Sequence, residues 1–385
     1  MTAVIFVIAT LLVLYVLFGY PLLLSVWAKI LPRPIRKQFV PTRISILIPV
    51  RNGVHWIRPK LDSLLSSDYP PELLDILVIS DGSTDGTNEI VESYPDPRVQ
   101  LLALPPGGKA TAVTRGLERV SAEIVVLTDV RQTFDSQALR TMIACFADPS
   151  VGVVTGELVI RSGLSLEEYN TGLYWRYEKW IRRNLNRIDA MLGATGSIYA
   201  IRRTLATPIP PDILLDDVYL PFKAAFAGTR IYFEDQAKAY DSPTSLETEF
   251  WRKVRTQAGV YQIMGQFRAL LWPGNRRFLH WVSHKVGRLL LPFALIAAAA
   301  GAFGLPGIWK LLVLAGQGLF YALAVLDPVI GEKNPLKKLS AVARAFVTLV
   351  AAALCATAIL VLPAQRLWKE TRVSATRDQA FSSRR

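Results

Sequence analysis

The sequence predicts an α/β domain with a mostly parallel sheet, set between one N-terminal and about three C-terminal transmembrane helices. Two observations carry this. Apolar residues make up 51% of the 385 residues, and they gather at the two ends of the chain, where they raise the mean hydropathy to +0.29. Between about residues 42 and 274, short apolar runs alternate with amphipathic ones, and each run stops at turn residues, the rhythm of βαβ units.

In chain order, Val4 to Trp27 is long enough to cross a bilayer at about 1.5 Å per residue. No Lys or Arg precedes it, it exceeds the roughly 7–15 apolar residues of a signal peptide, and Lys29, Arg33, Arg36 and Lys37 follow it. A retained helix is the reading, and those cations put the next domain in the cytoplasm. "RISILIPVRN" (43–52) alternates and then runs apolar, as a buried strand does. "KLDSLLSSDYPPELL" (60–74) reads as an amphipathic helix ended by Pro70 and Pro71. "DILVISD" (75–81) is a second strand, "GTNEIVESY" (86–94) a helix with Asp85 as its cap, and "VQLLAL" (99–104) a short strand. "KATAVTRGLERV" (109–120) is a helix and "EIVVLTD" (123–129) a strand. Strands too apolar for a solvated face imply a parallel sheet covered by helices. "YWRYEKWIRRNLNR" (174–187) has aromatics and cations at helical spacing. Leu289 to Phe303, Ile308 to Leu326 and Ala341 to Leu362 are the C-terminal spans. The expected organisation is 1–38 for the first helix and a basic linker, 39–275 for the α/β domain, 276–365 for an interfacial segment and spans, and 366–385 for a basic tail. Three full crossings place that tail outside, against the positive-inside tendency of Arg366, Lys369, Arg372, Arg377, Arg384 and Arg385.

The net charge of +13 does not point to nucleic acid. Much of it flanks the apolar segments (Arg276, Arg277, Lys285, Arg288, Lys333, Lys337, Lys338), where topology and anionic membrane lipids account for it. No aromatic-basic module accompanies it. Two cysteines, Cys145 and Cys355, make neither a disulfide framework nor a CxxC site and read as buried small apolar residues. Three histidines exclude a histidine-rich metal site.

Ligands of open parallel sheets bind beyond the carboxyl ends of the strands, and Asp81 and Asp129 both stand there. Taken alone, Asp81 in "DGSTDGT" is also an ordinary turn residue. The chain further carries "PVRNG" after the first strand, "GGKATAVTRGL", "TDV" after the fourth strand, "GATGSIYAIRR" and "LLDDVYL". In this order the motifs resemble the family 2 glycosyltransferases of the GT-A (Rossmann-like) fold over about residues 43 to 275. The flanking helices resemble those of the membrane branch that includes cellulose, hyaluronan and poly-N-acetylglucosamine synthases.

The resemblance implies an inverting transferase of the cell inner (plasma) membrane. It would move a sugar from a nucleotide-sugar donor, UDP-linked in most of the family, to a glycan or lipid-linked acceptor, in cell-surface or exopolysaccharide synthesis with polysaccharide-synthesis partner proteins. It implies Asp81 on the nucleobase, backbone near Val50 against the base, Lys109 beside the nucleotide, Asp129 at the ribose and on a divalent cation (Mg or Mn), and Gly196 on the acceptor side. Asp217 is implied as the catalytic base, with Asp216 before it, and Arg255 of "FWRKVRTQAG" as a diphosphate ligand. Three departures stand out. Arg131 replaces the second acid of D-x-D, so either Asp129 and the diphosphate hold the metal alone or Arg131 stands in for part of its charge. Gly53 stands where the family commonly has glutamate. The Gln and Trp of Q-x-x-R-W are missing, which weakens the case for processive polymerisation. Two alternatives remain open: addition of a single sugar to a lipid-linked acceptor, and a degenerate nucleotide-binding membrane regulator.

Overall fold

The structure, a computed structural model, describes residues 1–160, 166–242, 246–331 and 334–367. The tail, whose side of the membrane the sequence leaves in conflict, lies almost wholly outside the described residues. The chain forms two compact units.

The first unit, residues 33–160 and 189–242 of the described chain, is built on one eight-stranded mixed sheet in the order β3-β2-β1-β4-β7-β6-β8-β5. The strands are β1 (Ile44–Val50), β2 (Leu74–Asp81), β3 (Val99–Leu104), β4 (Ile124–Leu127), β5 (Thr133–Phe134), β6 (Val151–Ile160), β7 (Tyr199–Arg202) and β8 (Arg230–Asp241). The first four are parallel as expected, with Ile46 opposite Ile76 and Val126. Ile44, Ile46, Leu47 and Ile48 are all fully buried, because helices cover both faces of the sheet; that is why β1 is an unbroken apolar run rather than an alternating one. The second half adds antiparallel pairing. β7 lies between β4 and β6 and runs against both, while β8 returns parallel to β6.

The helices of this unit are α1 (Ile57–Leu65), α2 (Thr87–Glu92), α3 (Lys109–Arg119), α4 (Ala138–Ala144) and α5 (Asp216–Phe226). The helix expected over 60–74 therefore starts earlier and ends at Leu65. The Ser66 and Ser67 hydroxyls donate to the carbonyls of Ser63 and Leu64, taking acceptors that a continuing helix would use, and the chain turns away to bond Ser136 through the Asp68 N–H. Asp85 acts one position before the cap: Gly86 is the cap residue, and the Asp85 carboxylate accepts from Thr87 in the first turn and from the Val54 N–H.

Among the described residues, the second unit comprises helices Leu166–Arg187 and Leu246–Gln266 and four helices long and apolar enough to cross a membrane: Thr2–Ile30, Phe278–Ala302, Gly307–Val329 and Lys337–Leu360. Polar side chains tie them. Tyr15 bonds Ser283 at 2.7 Å and Tyr20 bonds His280 at 3.1 Å. Asp327, at the end of the third span, is buried among Lys337, Ser340 and Arg344 at the start of the fourth, which closes that hairpin. The cysteines differ from expectation. Cys145 is buried, but Cys355 is exposed on helix Lys337–Leu360, an apolar helix that the other described residues leave mostly uncovered.

Candidate active site

β2 and β4 leave the sheet at the same edge. Because β7 runs antiparallel to β4, the segment entering β7 arrives at that edge as well. Three loops and the first turns of α3 and α5 meet there.

Asp81, the last residue of β2, is 6% exposed. Its carboxylate accepts the N–H of Gly107 at 2.6 Å and that of Gly108 at 3.0 Å, from the loop that opens α3. Asp81 thereby sets where α3 begins, and the first residue of α3 is Lys109. The Lys109 ammonium lies 2.8 Å from Asp129 Oδ1, just beyond β4, and 3.3 Å from Asp216 Oδ1 at the start of α5. Burial alone would lower its pKa, but Asp129, Asp216 and Asp217 outweigh that and hold it above the ordinary lysine value.

Asp217 is anchored twice. Its Oδ2 accepts the Gly196 N–H at 2.9 Å, and its backbone carbonyl accepts the Ala194 N–H at 2.7 Å. The approach at 196 is close: a Cβ there would stand 3.2 Å from Asp217 Oδ2, so the carboxylate would have to give by a few tenths of an ångström, and 3.5 Å from Lys109 Nζ, an ordinary contact. Burial, then the neighbouring charge of Asp216 and that of Asp129, push the Asp217 carboxyl up to about 6, against the pull of Lys109 and the Gly196 N–H. A carboxylate that titrates there is matched to general-base work near neutral pH. Burial, and after it the charges of Asp216, Asp217 and Asp129, hold the Tyr199 phenol, fully enclosed on β7, well above its usual range.

Val50, at the end of β1, is buried, and its side chain explains the missing glutamate. A Cβ on residue 53 would lie 2.4 Å from Val50 Cγ2 and 3.5 Å from Val130, so Val50 occupies the space into which a longer residue would emerge. Asn52, Ser83, Thr84 and Thr87 stitch this loop to the "DGSTDGT" turn: the Asn52 and Gly53 N–H groups donate to the Ser83 and Thr87 hydroxyls, and the Asn52 side-chain Oδ1 accepts the Thr84 N–H.

Arg131 pairs with Asp241. Its guanidinium bonds Asp241 at 2.5 Å, and the Gln132 amide donates to the same carboxylate oxygen at 2.8 Å. Its charge is thus matched by a buried carboxylate. Arg255 belongs to the other unit, on helix Leu246–Gln266; within the first unit, the sheet edge brings together Asp81, Lys109, Asp129, Gly196, Asp216 and Asp217. Sequence reasoning passed over Lys60, which is fully buried on α1 with its Nζ donating to Thr128 Oγ1 at 2.7 Å and to the Gln132 carbonyl at 2.6 Å. A signal was present: Ile57, Lys60, Leu61 and Leu64 fall at i, i+3, i+4 and i+7, which puts a lysine inside an apolar stripe.

A divalent cation fits the donor set in one way. Among the described residues, no three His, Cys, Asp or Glu side chains form a ready cage. Asp129, with 42% of its side chain exposed, offers one hard oxygen ligand, and Mg²⁺-type sites commonly combine one or two carboxylates with substrate phosphates. Three carboxylates around one ammonium also leave a negative surplus that a cation relieves.

Residues 45–207 match the family described as glycosyl transferase family 2. The poly-beta-1,6-N-acetyl-D-glucosamine synthase of Staphylococcus epidermidis is 26% identical over 229 residues, covering 57% of this chain and 55% of the relative. That of Staphylococcus aureus (strain COL) is 25% identical over the same shares. The chain thus spans about half the length of these relatives. Among solved structures, the mannosyltransferase PcManGT from Pyrobaculum calidifontis, in complex with GDP-Man and Mn²⁺, matches with a TM-score of 0.72 at 23% identity. The match covers 93% of this chain and 99% of that one, and shows the same fold.

Proposed function

We propose that residues 45–207, which match glycosyl transferase family 2, are a domain of that family and that this protein is a membrane-anchored inverting transferase. It takes a sugar from a nucleotide-sugar donor, UDP-linked, and adds it to a glycan or lipid-linked acceptor in bacterial surface-polysaccharide synthesis, with the catalytic unit on the cytoplasmic side. The observation that carries the proposal is the cluster at the sheet edge, where Lys109 bridges Asp129 and Asp216 beside an Asp217 that titrates at about 6.

Each group has a task. Asp217 takes the proton of the acceptor hydroxyl as that oxygen bonds the anomeric carbon. The bond from that carbon to the diphosphate breaks, and its electron pair leaves with the nucleotide. The Gly196 N–H holds the Asp217 carboxylate in place, so that little orientation is lost on the way to the transition state. Lys109 supplies positive charge for the leaving diphosphate. Asp81 acts on the donor side by fixing the glycine loop that presents Lys109, with carboxylate lone pairs left for a nucleobase N–H. Asp129, with diphosphate oxygens, would hold Mg²⁺ or Mn²⁺, and a cation so bound would neutralise the diphosphate.

The test is nucleotide release by detergent-purified full-length protein from UDP-GlcNAc, UDP-glucose and GDP-mannose. Sugar transfer from a UDP-linked donor supports the proposal, and transfer from GDP-mannose alone keeps the transferase but overturns the UDP assignment. Tight nucleotide binding with no turnover of any donor supports a membrane regulator instead.

A further inference from the structure

We propose that Lys60 is a positioning residue for the transfer reaction: a single buried amine that holds the loops presenting Asp129 and Asp217 at a fixed separation. The inference rests on the reading of Asp217 as base and Asp129 as the donor-side carboxylate. Its geometry is independent of that reading.

Lys60 Nζ donates to Thr128 Oγ1 (2.7 Å) and to the Gln132 carbonyl (2.6 Å) and lies 3.9 Å from the centre of the Phe134 ring. Thr128 and Gln132 bracket Asp129, Val130 and Arg131, so one side chain closes the whole loop from beneath. A second tether grips it elsewhere, through Asp241 to Arg131 and Gln132. The link continues. Having accepted from Lys60, Thr128 Oγ1 donates its own hydrogen to the Ser197 carbonyl at 2.7 Å, closer than its 3.2 Å approach to the Asp129 carbonyl. Ser197 follows Gly196, whose N–H holds Asp217. Lys60 therefore lies on a path to the base made of three hydrogen bonds and the Gly196–Ser197 backbone and, through Thr128, next to the residue that Lys109 grips.

Cost supports a specific role. Enclosing an amine in a fully buried position is expensive, whereas an aliphatic residue at this place in the stripe would fill it at little cost. Both bonds are donated whether the amine is charged or neutral, so the tie does not depend on its protonation.

The experiment uses full-length protein in detergent. Lys60→Met keeps most of the stem volume and removes both donors. A misplacement of about 1 Å costs on the order of 10²-fold in rate, so kcat should fall about 10- to 100-fold while KM changes less. Amide exchange supplies a readout without substrate: peptides over 128–132 and 194–199 should both exchange about tenfold faster, while β1 stays protected. A merely structural lysine would loosen β1 along with them. Thr128→Val should reproduce the effect, Thr128→Ser should retain wild-type turnover, and the Lys60→Met/Thr128→Val pair should be no worse than its worse single member. A folded Lys60→Met with kcat within about twofold of wild type overturns the inference, as does unchanged exchange at 194–199. If Lys60→Met does not fold, wild-type turnover and exchange in Thr128→Val overturn it equally. Failure of the wild-type protein to turn over any donor would sink the proposed function, whereas the exchange result stands by itself.

Discussion

Replacing Asp216 by Asn removes one charge and almost no volume, and it leaves an oxygen able to accept from Lys109. Its main consequence falls on Asp217. That carboxyl is raised from 3.8 to about 6, with burial the largest cause and the Asp216 charge the next. The substitution leaves burial intact, so it should recover only part of the rise, on the order of one pH unit, a tenfold change in the ionisation constant. A general base works only when ionised, so activity is lost as pH falls through its pKa, and a lower pKa carries that acid limb to lower pH. At pH 5, a base titrating at about 6 is roughly one-tenth ionised and one titrating at about 5 is half ionised. Plateau-normalised kcat/KM at pH 5 should therefore rise about fivefold in the variant. The assay is nucleotide release from pH 4.5 to 8 under subsaturating donor. An acid limb that stays in place or moves upward refutes the electrostatic account of the cluster.

Two further substitutions probe its supports. Asp81→Ala removes the acceptor for the Gly107 and Gly108 N–H groups, so it should weaken nucleotide binding about tenfold in calorimetry and raise KM more than it lowers kcat; unchanged affinity would leave Asp81 a simple turn residue. Arg131→Met strands the buried Asp241 charge and should destabilise the fold by about 3 kcal/mol, with recovery when Asp241→Asn is added; calorimetric unfolding that shows no rescue would mean the pair is not coupled.

The parallel half of the sheet was legible because strands buried on both faces are unbroken apolar runs, and Asp81 and Asp129 mark where they stop. Placing Lys109, Asp216 and Asp217 with them needed the resemblance, because the residues are far apart in the chain and meet only through the sheet edge. The antiparallel half was not legible. β5 has two residues and β7 four, too short for a period, and the reversal at β7 is set by pairing with β4 and β6 rather than by local pattern. The partner of Arg131 stands 110 residues away, so the sequence could pose the question of its charge but not answer it. Lys60 was hidden by reading the helix as starting at the lysine, which made it a polar first residue instead of a member of the stripe that begins at Ile57.

The central claim is that Asp217 is the base that activates the acceptor. Asp217→Asn keeps an oxygen to accept the Gly196 N–H and removes only the ability to take a proton. Transfer by the purified full-length variant should fall by about 10² to 10⁴ while its nucleotide affinity stays within about threefold of wild type. Retention of more than about a third of wild-type turnover would contradict the account.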